Sequence, residues 1–239
     1  MRVGVDGCKK GWFYVQFGND EAVFGVVAEL SVLLDSLPTD SVVLVDIPIG
    51  LREDQGGGGR LCDIEARKIL APKKSSSVFP APCRQAVYAS SYEEGSALNK
   101  RILDKKLSKQ SWAITSKIRE VDELFQDSKR ARSMVREVHP EVCFRGLTGA
   151  AMDHSKKTRE GFTERLDVLS THLPGATEIA AHAFLEHGGY EAARDDILDA
   201  LVAAYCALRV ADCRTIPGEP EIDPTGLPME MVYLPHGAL

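Results

Sequence analysis

The sequence lacks the cysteine and histidine spacings of zinc ribbons and thioredoxin-like sites. Its six cysteines are scattered over 239 residues without a C-x-x-C pair, so reduced thiols in a cytoplasmic protein are expected. No apolar run approaches the roughly 18 to 20 residues that a membrane-spanning helix requires. The first residues lead into the strand-like segment 2–5 and not into a signal segment. These absences argue against a membrane protein or a secreted one.

Basic residues are not in excess either, because 29 Lys and Arg face 35 Asp and Glu, and the formal net charge is −6. A protein that binds nucleic acid over much of its surface usually has more basic than acidic residues. Residues 100–136 depart from this average, with eleven basic residues against five acidic ones, a net charge of +6 that leaves −12 for the rest. This segment either lies along a phosphate backbone or forms solvated helix faces. Its aromatic residues, Trp112 and Phe125, are spaced as core residues, which gives base stacking little support.

Three segments near the N-terminus have the β-branched and aromatic composition of strands, with turns at Gly7 and at residues 18–20 between them. They predict an antiparallel meander over residues 3–6, 11–17 and 22–27. A short amphipathic helix over 29–37 and a strand over 41–47 follow. The strand is a near-continuous run of valine and leucine, which predicts burial on both faces in the middle of a mixed sheet.

Residues 56–134 are expected to form a largely helical insertion. It opens with a flexible run of four glycines over 56–59. Within it the patterns predict a helix over 60–70, a proline-containing loop over 75–84 and a longer amphipathic helix over 112–126.

The core pattern then resumes with a strand over 134–139 and a strongly apolar helix over 195–209, and a proline-rich arm over 214–239 ends the chain. The resulting order is β-β-β-α-β, the helical insertion, β and α. This order predicts a ribonuclease H-like α/β fold, in which an antiparallel three-stranded meander joins parallel strands in a mixed sheet. We expect one such domain over residues 1–239.

Three carboxylates stand out because each is a lone charge in an apolar element: Asp6 after 3–5, Asp46 after 42–45, and Asp199 in the helix. An unpaired ionised acid in a low dielectric costs several kcal/mol, so Asp199 requires a cation, hydrogen bonds or an opening to water. No basic residue follows Asp199 within a helical turn, and Asp196 lies three residues earlier on the same helix face. Acids so placed repel each other unless a positive charge lies between them.

Magnesium is the cation that suits such a group, because it prefers hard oxygen ligands and is usually held by a few carboxylates, water and phosphate oxygens. Two ions roughly 3.5 to 4 Å apart can activate water and stabilise the leaving oxygen in phosphodiester cleavage. The sequence therefore predicts a Mg²⁺ or Mn²⁺ site with Asp6, Asp46 and Asp199 as ligands, and with Asp196 as a ligand or a neighbour of the ligands.

Simpler interpretations exist for each acid. An Asp at the end of a strand is often a turn former or a helix cap, which covers Asp6 and Asp46 taken singly. Asp195 and Asp196 at the start of a helix can complement the helix dipole, and for Asp195 that interpretation is preferred. Asp199, inside the apolar helix, fits neither alternative.

Six short blocks of the chain stand out: residues 4–12 (GVDGCKKGW), 45–51 (VDIPIGL), 60–67 (RLCDIEAR), 77–84 (SVFPAPCR), 137–141 (EVHPE) and 196–201 (DILDAL). Together they resemble a domain-of-unknown-function family of predicted ribonuclease H-like nucleases.

The last of these blocks is also similar to a helix of bacterial Holliday-junction resolvases, in which the matching acids bind metal. This resemblance implies roles for Asp6, Asp46, Asp196 and Asp199. Resolvases have Glu on the fourth strand, where this chain has the shorter Asp46.

Glu137, His139 and Glu141 alternate, and a strand that included all three would point them to one side. Glu137 or His139 would then act beside the acids as an extra ligand or a proton shuttle. The alternative is that Pro140 ends the strand and that His139 caps its exit.

A second group of candidates is basic or paired with a base. Asp63 and Arg67 have the i, i+4 spacing of a solvated ion pair. They belong, with Arg60, to a block on which the family resemblance rests, and we expect all three to bind substrate. Arg84 follows a proline-flanked loop, and its planar guanidinium suits bidentate contacts with a phosphate. The alternative for Arg84 is that it anchors its own loop.

These features predict a divalent-metal-dependent nuclease or phosphodiesterase, with nucleic acid and a second copy of the chain as candidate partners and no membrane partner. One rival is a non-catalytic module that binds a nucleotide or nucleic acid through the same acidic cleft. Another is an actin-like phosphotransferase, since those enzymes share the core and the opening Gly-x-Asp-Gly. They need two copies of the fold, and this chain has only one.

Overall fold

The computed structural model describes residues 1–18, 21–54 and 58–237. Part of the predicted turn at 18–20, Gly56 and Gly57 of the glycine run, and the last two residues of the C-terminal arm lie outside the described residues.

A mixed sheet of five strands forms the centre of the protein. Its strands are β1 (Arg2–Cys8), β2 (Gly11–Phe17), β3 (Ala22–Val27), β4 (Val42–Asp46) and β5 (Val135–Glu137). Their order in the sheet is β3-β2-β1-β4-β5. The first three strands pair antiparallel as a meander, whereas β4 runs parallel to β1 and β5 runs parallel to β4. The predicted mixed α/β architecture, with antiparallel and parallel strands in one sheet, is confirmed.

The helices of the described residues follow the strands in two groups. The first group is α1 (Leu30–Ser36), α2 (Leu61–Leu70), α3 (Arg84–Val87), α4 (Tyr92–Leu103), α5 (Lys109–Ala113), α6 (Thr115–Asp127) and α7 (Lys129–Met134). The second group is α8 (Pro140–Thr148), α9 (Arg159–His172), α10 (Ala176–His187) and α11 (Arg194–Leu208). Within the described part of the chain, no helix has both the length and the hydropathy to traverse a bilayer.

Helix α11 covers one face of the sheet and approaches β1 unusually closely. A Cβ atom on Gly4 would lie 2.0 Å from the backbone nitrogen of Ala204 and 2.1 Å from the carbonyl oxygen of Ala200, so only glycine permits this packing. The opposite face carries Val3, Val5 and their neighbours, packed against α1 and α6. Because side chains alternate along a strand, the residues of β1 and β4 that follow the same alternation as Gly4 face α11.

Three elements differ from their predicted form. The helix expected over 112–126 is divided into α5 and α6 at Ile114, since Ser108 caps a separate short helix by accepting from the Ser111 backbone nitrogen at 2.9 Å. The strand expected over 134–139 ends at Glu137, because Pro140 begins α8. The expected C-terminal arm folds as an antiparallel hairpin of β6 (Arg214–Ile222) and β7 (Pro228–Tyr233).

The sequence did not predict α8, α9 and α10. In α9 the buried residues are Gly161, Arg165 and Leu169, so its inner face is not the apolar stripe by which an amphipathic helix is recognised.

Candidate metal centre

Three carboxylates from separate elements meet at the carboxyl ends of the central parallel strands. Asp6 of β1, Asp46 of β4 and Asp199 of α11 each place one oxygen within 4.8 Å of the others. The parallel register pairs Asp6 directly with Asp46, and the close packing of α11 on β1 brings Asp199 above them. The acids singled out as metal ligands therefore lie together in the folded chain.

Burial and mutual repulsion make this cluster electrostatically unfavourable when all three groups are ionised. Burial raises the pKa of Asp6 well above its usual value, and the charges of Asp46 and Asp199 raise it further. Burial likewise raises the pKa of Asp46 to about 6, with the nearby His139 acting in the opposite direction. Burial also raises the pKa of Asp199. Such a cluster has a strong affinity for positive charge.

Lys156 supplies part of that charge. Its Nζ lies 2.5 Å from Oδ2 of Asp199 and 3.6 Å from Oδ2 of Asp195. Burial lowers the pKa of Lys156, but the carboxylates of Asp199, Asp6 and Asp46 more than offset that effect and hold the ammonium charged. Sequence reasoning missed this residue because it is 43 positions away from Asp199 and belongs to the segment between α8 and α9.

The carboxylates retain unused ligand atoms despite this ion pair. Oδ1 of Asp199 is buried and has no hydrogen-bond partner. Among the described residues, the side chains of Asp6 and Asp46 accept no hydrogen bond and form no ion pair. Hard oxygen atoms in this arrangement fit a small divalent cation.

The cluster opens into a cleft of about 300 Å³, whose lining includes Asp6, Asp46, Glu137, His139, Lys117 and Lys156. We call it the metal cleft. Lys117 is a member of the basic segment 100–136, so that segment contributes one amine to the cleft. A cleft of this volume falls at the lower end of the range for small-molecule sites.

Asp196 and Asp195 are used differently from Asp199. The Oδ2 atom of Asp196 accepts from the backbone nitrogen of Ala193 at 2.8 Å, which caps the first turn of α11. Burial raises the pKa of Asp196, yet its carboxylate is not part of the three-acid cluster. Asp195 forms ion pairs with Lys156 and with Lys157, whose Nζ lies 2.5 Å from its Oδ2.

Glu137 and His139 both line the metal cleft, but they have different partners. The guanidinium of Arg60 binds both oxygens of Glu137, at 2.7 and 2.8 Å. Burial raises the pKa of Glu137 to about 7, although Arg60 opposes that effect. Nε2 of His139 lies 3.3 Å from the carbonyl oxygen of Ser77, and its Nδ1 is buried without a hydrogen-bond partner. Glu141 follows in α8, so the three residues do not alternate along one strand.

Arg60 and Asp63 form a buried network with Glu137. Both are 1% exposed, and Arg60 Nη2 lies 2.5 Å from Oδ1 of Asp63. Oδ2 of Asp63 also accepts from the backbone nitrogen of Ala81 at 2.9 Å. Arg67 instead donates to the carbonyl oxygen of Val78 at 2.7 Å, so the i, i+4 spacing with Asp63 does not produce the solvated ion pair that it suggested.

Arg84 is surrounded by acids. Its Nε donates to Oε1 of Glu53 at 2.6 Å, and its two terminal nitrogens contact Asp122 and Asp223. These contacts tie the loop that precedes α3 to α6 and to the segment after β6. They favour the anchoring interpretation of Arg84 over a phosphate clamp.

The fold and the site together define an α/β protein that holds three converging carboxylates at the junction of two parallel strands and a covering helix. The chain belongs to the family described as Protein of unknown function (DUF429), whose model matches residues 4–222. That match includes all the candidate site residues named above. No curated protein and no solved structure matches the chain.

Proposed function

We propose that this protein is a divalent-metal-dependent phosphodiesterase that hydrolyses nucleic acid on a ribonuclease H-like fold. The observation that carries the proposal is the convergence of Asp6, Asp46 and Asp199 to within 4.8 Å, with Asp6 and Asp46 lining the metal cleft. Acids are buried at such cost mainly where chemistry needs them.

The strand arrangement supports the fold assignment. An antiparallel meander β3-β2-β1 continued by the parallel strands β4 and β5 is the arrangement expected of a ribonuclease H-like sheet. The acids lie on β1, on the neighbouring parallel strand β4 and on the helix that covers both, which are the elements that the resemblance to resolvases implies.

The residues in the cleft suit the cleavage of a phosphodiester. Asp6, Asp46 and Asp199 would hold Mg²⁺ or Mn²⁺, which when bound would lower the pKa of a water molecule and neutralise a leaving oxygen. Lys156 and Lys117 line the same cleft and would place positive charge beside a bound phosphate. His139 has a free Nδ1 in the cleft wall and can hold or pass on a proton.

The proposal is tested with a panel of single-stranded, duplex, RNA–DNA hybrid and branched nucleic acids. We expect at least one member to be cleaved in the presence of Mg²⁺ or Mn²⁺ and to stay intact in EDTA, with Asp199→Asn as the inactive control. Cleavage that survives both EDTA and the substitution would come from another site or a contaminant. No cleavage of any member with either ion would contradict the proposal.

The Lys156–Asp199 ion pair favours a second candidate function, a non-catalytic module that binds nucleotide or nucleic acid. In that case the lysine offsets part of the acidic charge permanently. This alternative predicts that Mg²⁺ or Mn²⁺ raises the Tm of the protein without any turnover.

Removing the ammonium of Lys156 is expected to tighten metal binding. The ammonium and a divalent cation compete for the same carboxylates, so Lys156→Met should lower the Kd for Mn²⁺ at least about tenfold in isothermal titration calorimetry. Lys157→Met is the matched control, because Lys157 contacts Asp195 and is 69% exposed. Equal Kd values for the wild type and Lys156→Met would show that Lys156 does not compete with the metal.

A further inference from the structure

A second cavity, of about 490 Å³, shares a wall with the metal cleft. Asp63 lines both, and its carboxylate forms an ion pair with Arg60 in the buried network. The cavity is bounded by α2, by the end of α4 and by the loop that follows α4. It is large enough for a nucleotide.

The rim of this cavity is positively charged in a protein whose net charge is negative. Arg67, Lys68, Lys105 and Lys106 all line it, and Asp63 is the one acid among its described lining residues. None of the three lysines forms an ion pair with any residue in the described part of the chain. Uncompensated cations around a concave surface attract anionic ligands.

The inner wall of the cavity is aliphatic. Ile64, Leu103 and Leu107 line it together with Pro80 and Ala81. Ile64 is 40% exposed, so part of this apolar surface is open to solvent. A ligand that matches the cavity therefore has an apolar surface as well as a negative charge.

Asn99 holds the loop that carries two of the lysines. Its Nδ2 donates to the carbonyl oxygen of Lys105 at 2.8 Å, and its Oδ1 accepts from the backbone nitrogen of Cys83 at 2.9 Å. Asp104, with a φ of +56°, turns the chain into this loop at the end of α4. The backbone of the loop is therefore fixed at Lys105, next to the cavity that Lys105 and Lys106 line.

We propose that this cavity binds a nucleotide of a single-stranded nucleic acid next to the bond that is cleaved, with the base against the aliphatic wall and a phosphate at the lysines. This inference rests on the proposed function, since the shared wall places the cavity beside the metal cleft. It also assigns a role to further basic residues of the segment 100–136, of which Lys117 lines the metal cleft.

The test measures the anisotropy of a fluorescein-labelled single-stranded oligonucleotide bound to the full chain in EDTA, where no cleavage occurs. Lys105→Ala/Lys106→Ala should raise Kd about tenfold and reduce the slope of log K against log salt concentration by about 1.4, as expected for two lost phosphate contacts on a single strand. Lys129→Ala is the matched control, since Lys129 is an exposed lysine of the same segment that lines neither cavity. It should change neither quantity.

The aliphatic wall is tested separately. Ile64→Ala should raise Kd about threefold and leave the salt slope unchanged, because it removes apolar contact and no charge. A nucleoside 5′-monophosphate should displace the labelled strand, whereas inorganic phosphate at the same concentration should not. Equal displacement by phosphate would overturn the assignment of a nucleotide site.

The remaining outcomes separate this inference from the proposed function. No binding by the wild type, or equal binding by Lys105→Ala/Lys106→Ala and the wild type, would overturn the inference even if the metal cleft cleaves nucleic acid. Binding that depends on the two lysines, without cleavage in Mg²⁺ or Mn²⁺, would support the nucleotide site and contradict the phosphodiesterase.

Discussion

Asp199→Asn is expected to reduce metal-dependent cleavage at least about 1000-fold, an effect of about 4 kcal/mol on the transition state. Asparagine keeps the shape of the side chain but removes one of three charges that converge within 4.8 Å. Its amide nitrogen would also repel a cation from Asp6 and Asp46. We would measure single-turnover cleavage at saturating Mg²⁺, together with Mn²⁺ binding by calorimetry.

The fold should survive this substitution. Burial already raises the pKa of Asp199, so a neutral side chain avoids the cost of burying a charge there. The ammonium of Lys156 still has the carboxylates of Asp195, Asp6 and Asp46 nearby. We expect the free energy of unfolding to stay within about 1 kcal/mol of the wild type. Asp40→Asn, which changes an exposed acid without side-chain partners in the described chain, is the control and should retain full activity. Normal metal binding and more than a tenth of wild-type turnover in Asp199→Asn would contradict the proposed ligand set.

Arg60→Met is expected to lower the free energy of unfolding by about 3 to 5 kcal/mol, because it leaves Glu137 and Asp63 buried without their cation. For a chain of this length that corresponds to a fall in Tm of roughly 10 °C. Arg67→Met, in the helix α2 that begins directly after Arg60, removes one hydrogen bond to a carbonyl oxygen and should cost about 1 kcal/mol. Chemical denaturation of both variants compares them directly.

The loss of stability in Arg60→Met should depend on pH in a defined direction. The pKa of Glu137 is about 7 even with Arg60 present and rises further without it, so the folded variant binds a proton more tightly than the unfolded chain. Glu137 is protonated in both folded proteins below pH 7, so the difference in unfolding free energy from the wild type should be smallest there and should grow as the pH rises from about 6 to about 9. Arg60→Met/Glu137→Gln should recover part of the loss. A constant difference across this range would mean that packing, and not the buried charge, is lost.

The positions of the metal-cleft acids could be predicted from the sequence because each violates a local pattern. Asp6 and Asp46 are charges at the ends of apolar strands, and Asp199 is a charge inside an apolar helix. The alternation of a strand and the cost of a buried charge are local properties, so the chain reveals them without its fold. The meander and the strand β4 were also predictable, because the composition and periodicity of a strand are local properties of the chain.

The partners of these residues could not be predicted in the same way. The ion pairs Lys156–Asp199 and Arg60–Glu137 join residues 43 and 77 positions apart, and no periodicity relates them. The three-residue spacing predicted that Asp196 and Asp199 lie on the same helix face, yet the side chain of Asp196 turns back to cap the helix. The choice between capping and metal binding depends on what lies opposite the side chain.

By itself the sequence determined which segments become the five strands of the central sheet, which helix is buried and which acids are costly to bury, since these follow from hydrophobic periodicity and the energetics of a single charge. Only the tertiary structure decided which cations meet those acids and that a second, basic cavity adjoins the metal cleft. Coulombic interactions and cavity walls depend on distances between atoms far apart along the chain, and those distances exist only after α11 has packed against β1 and the inserted helices have docked beside the sheet.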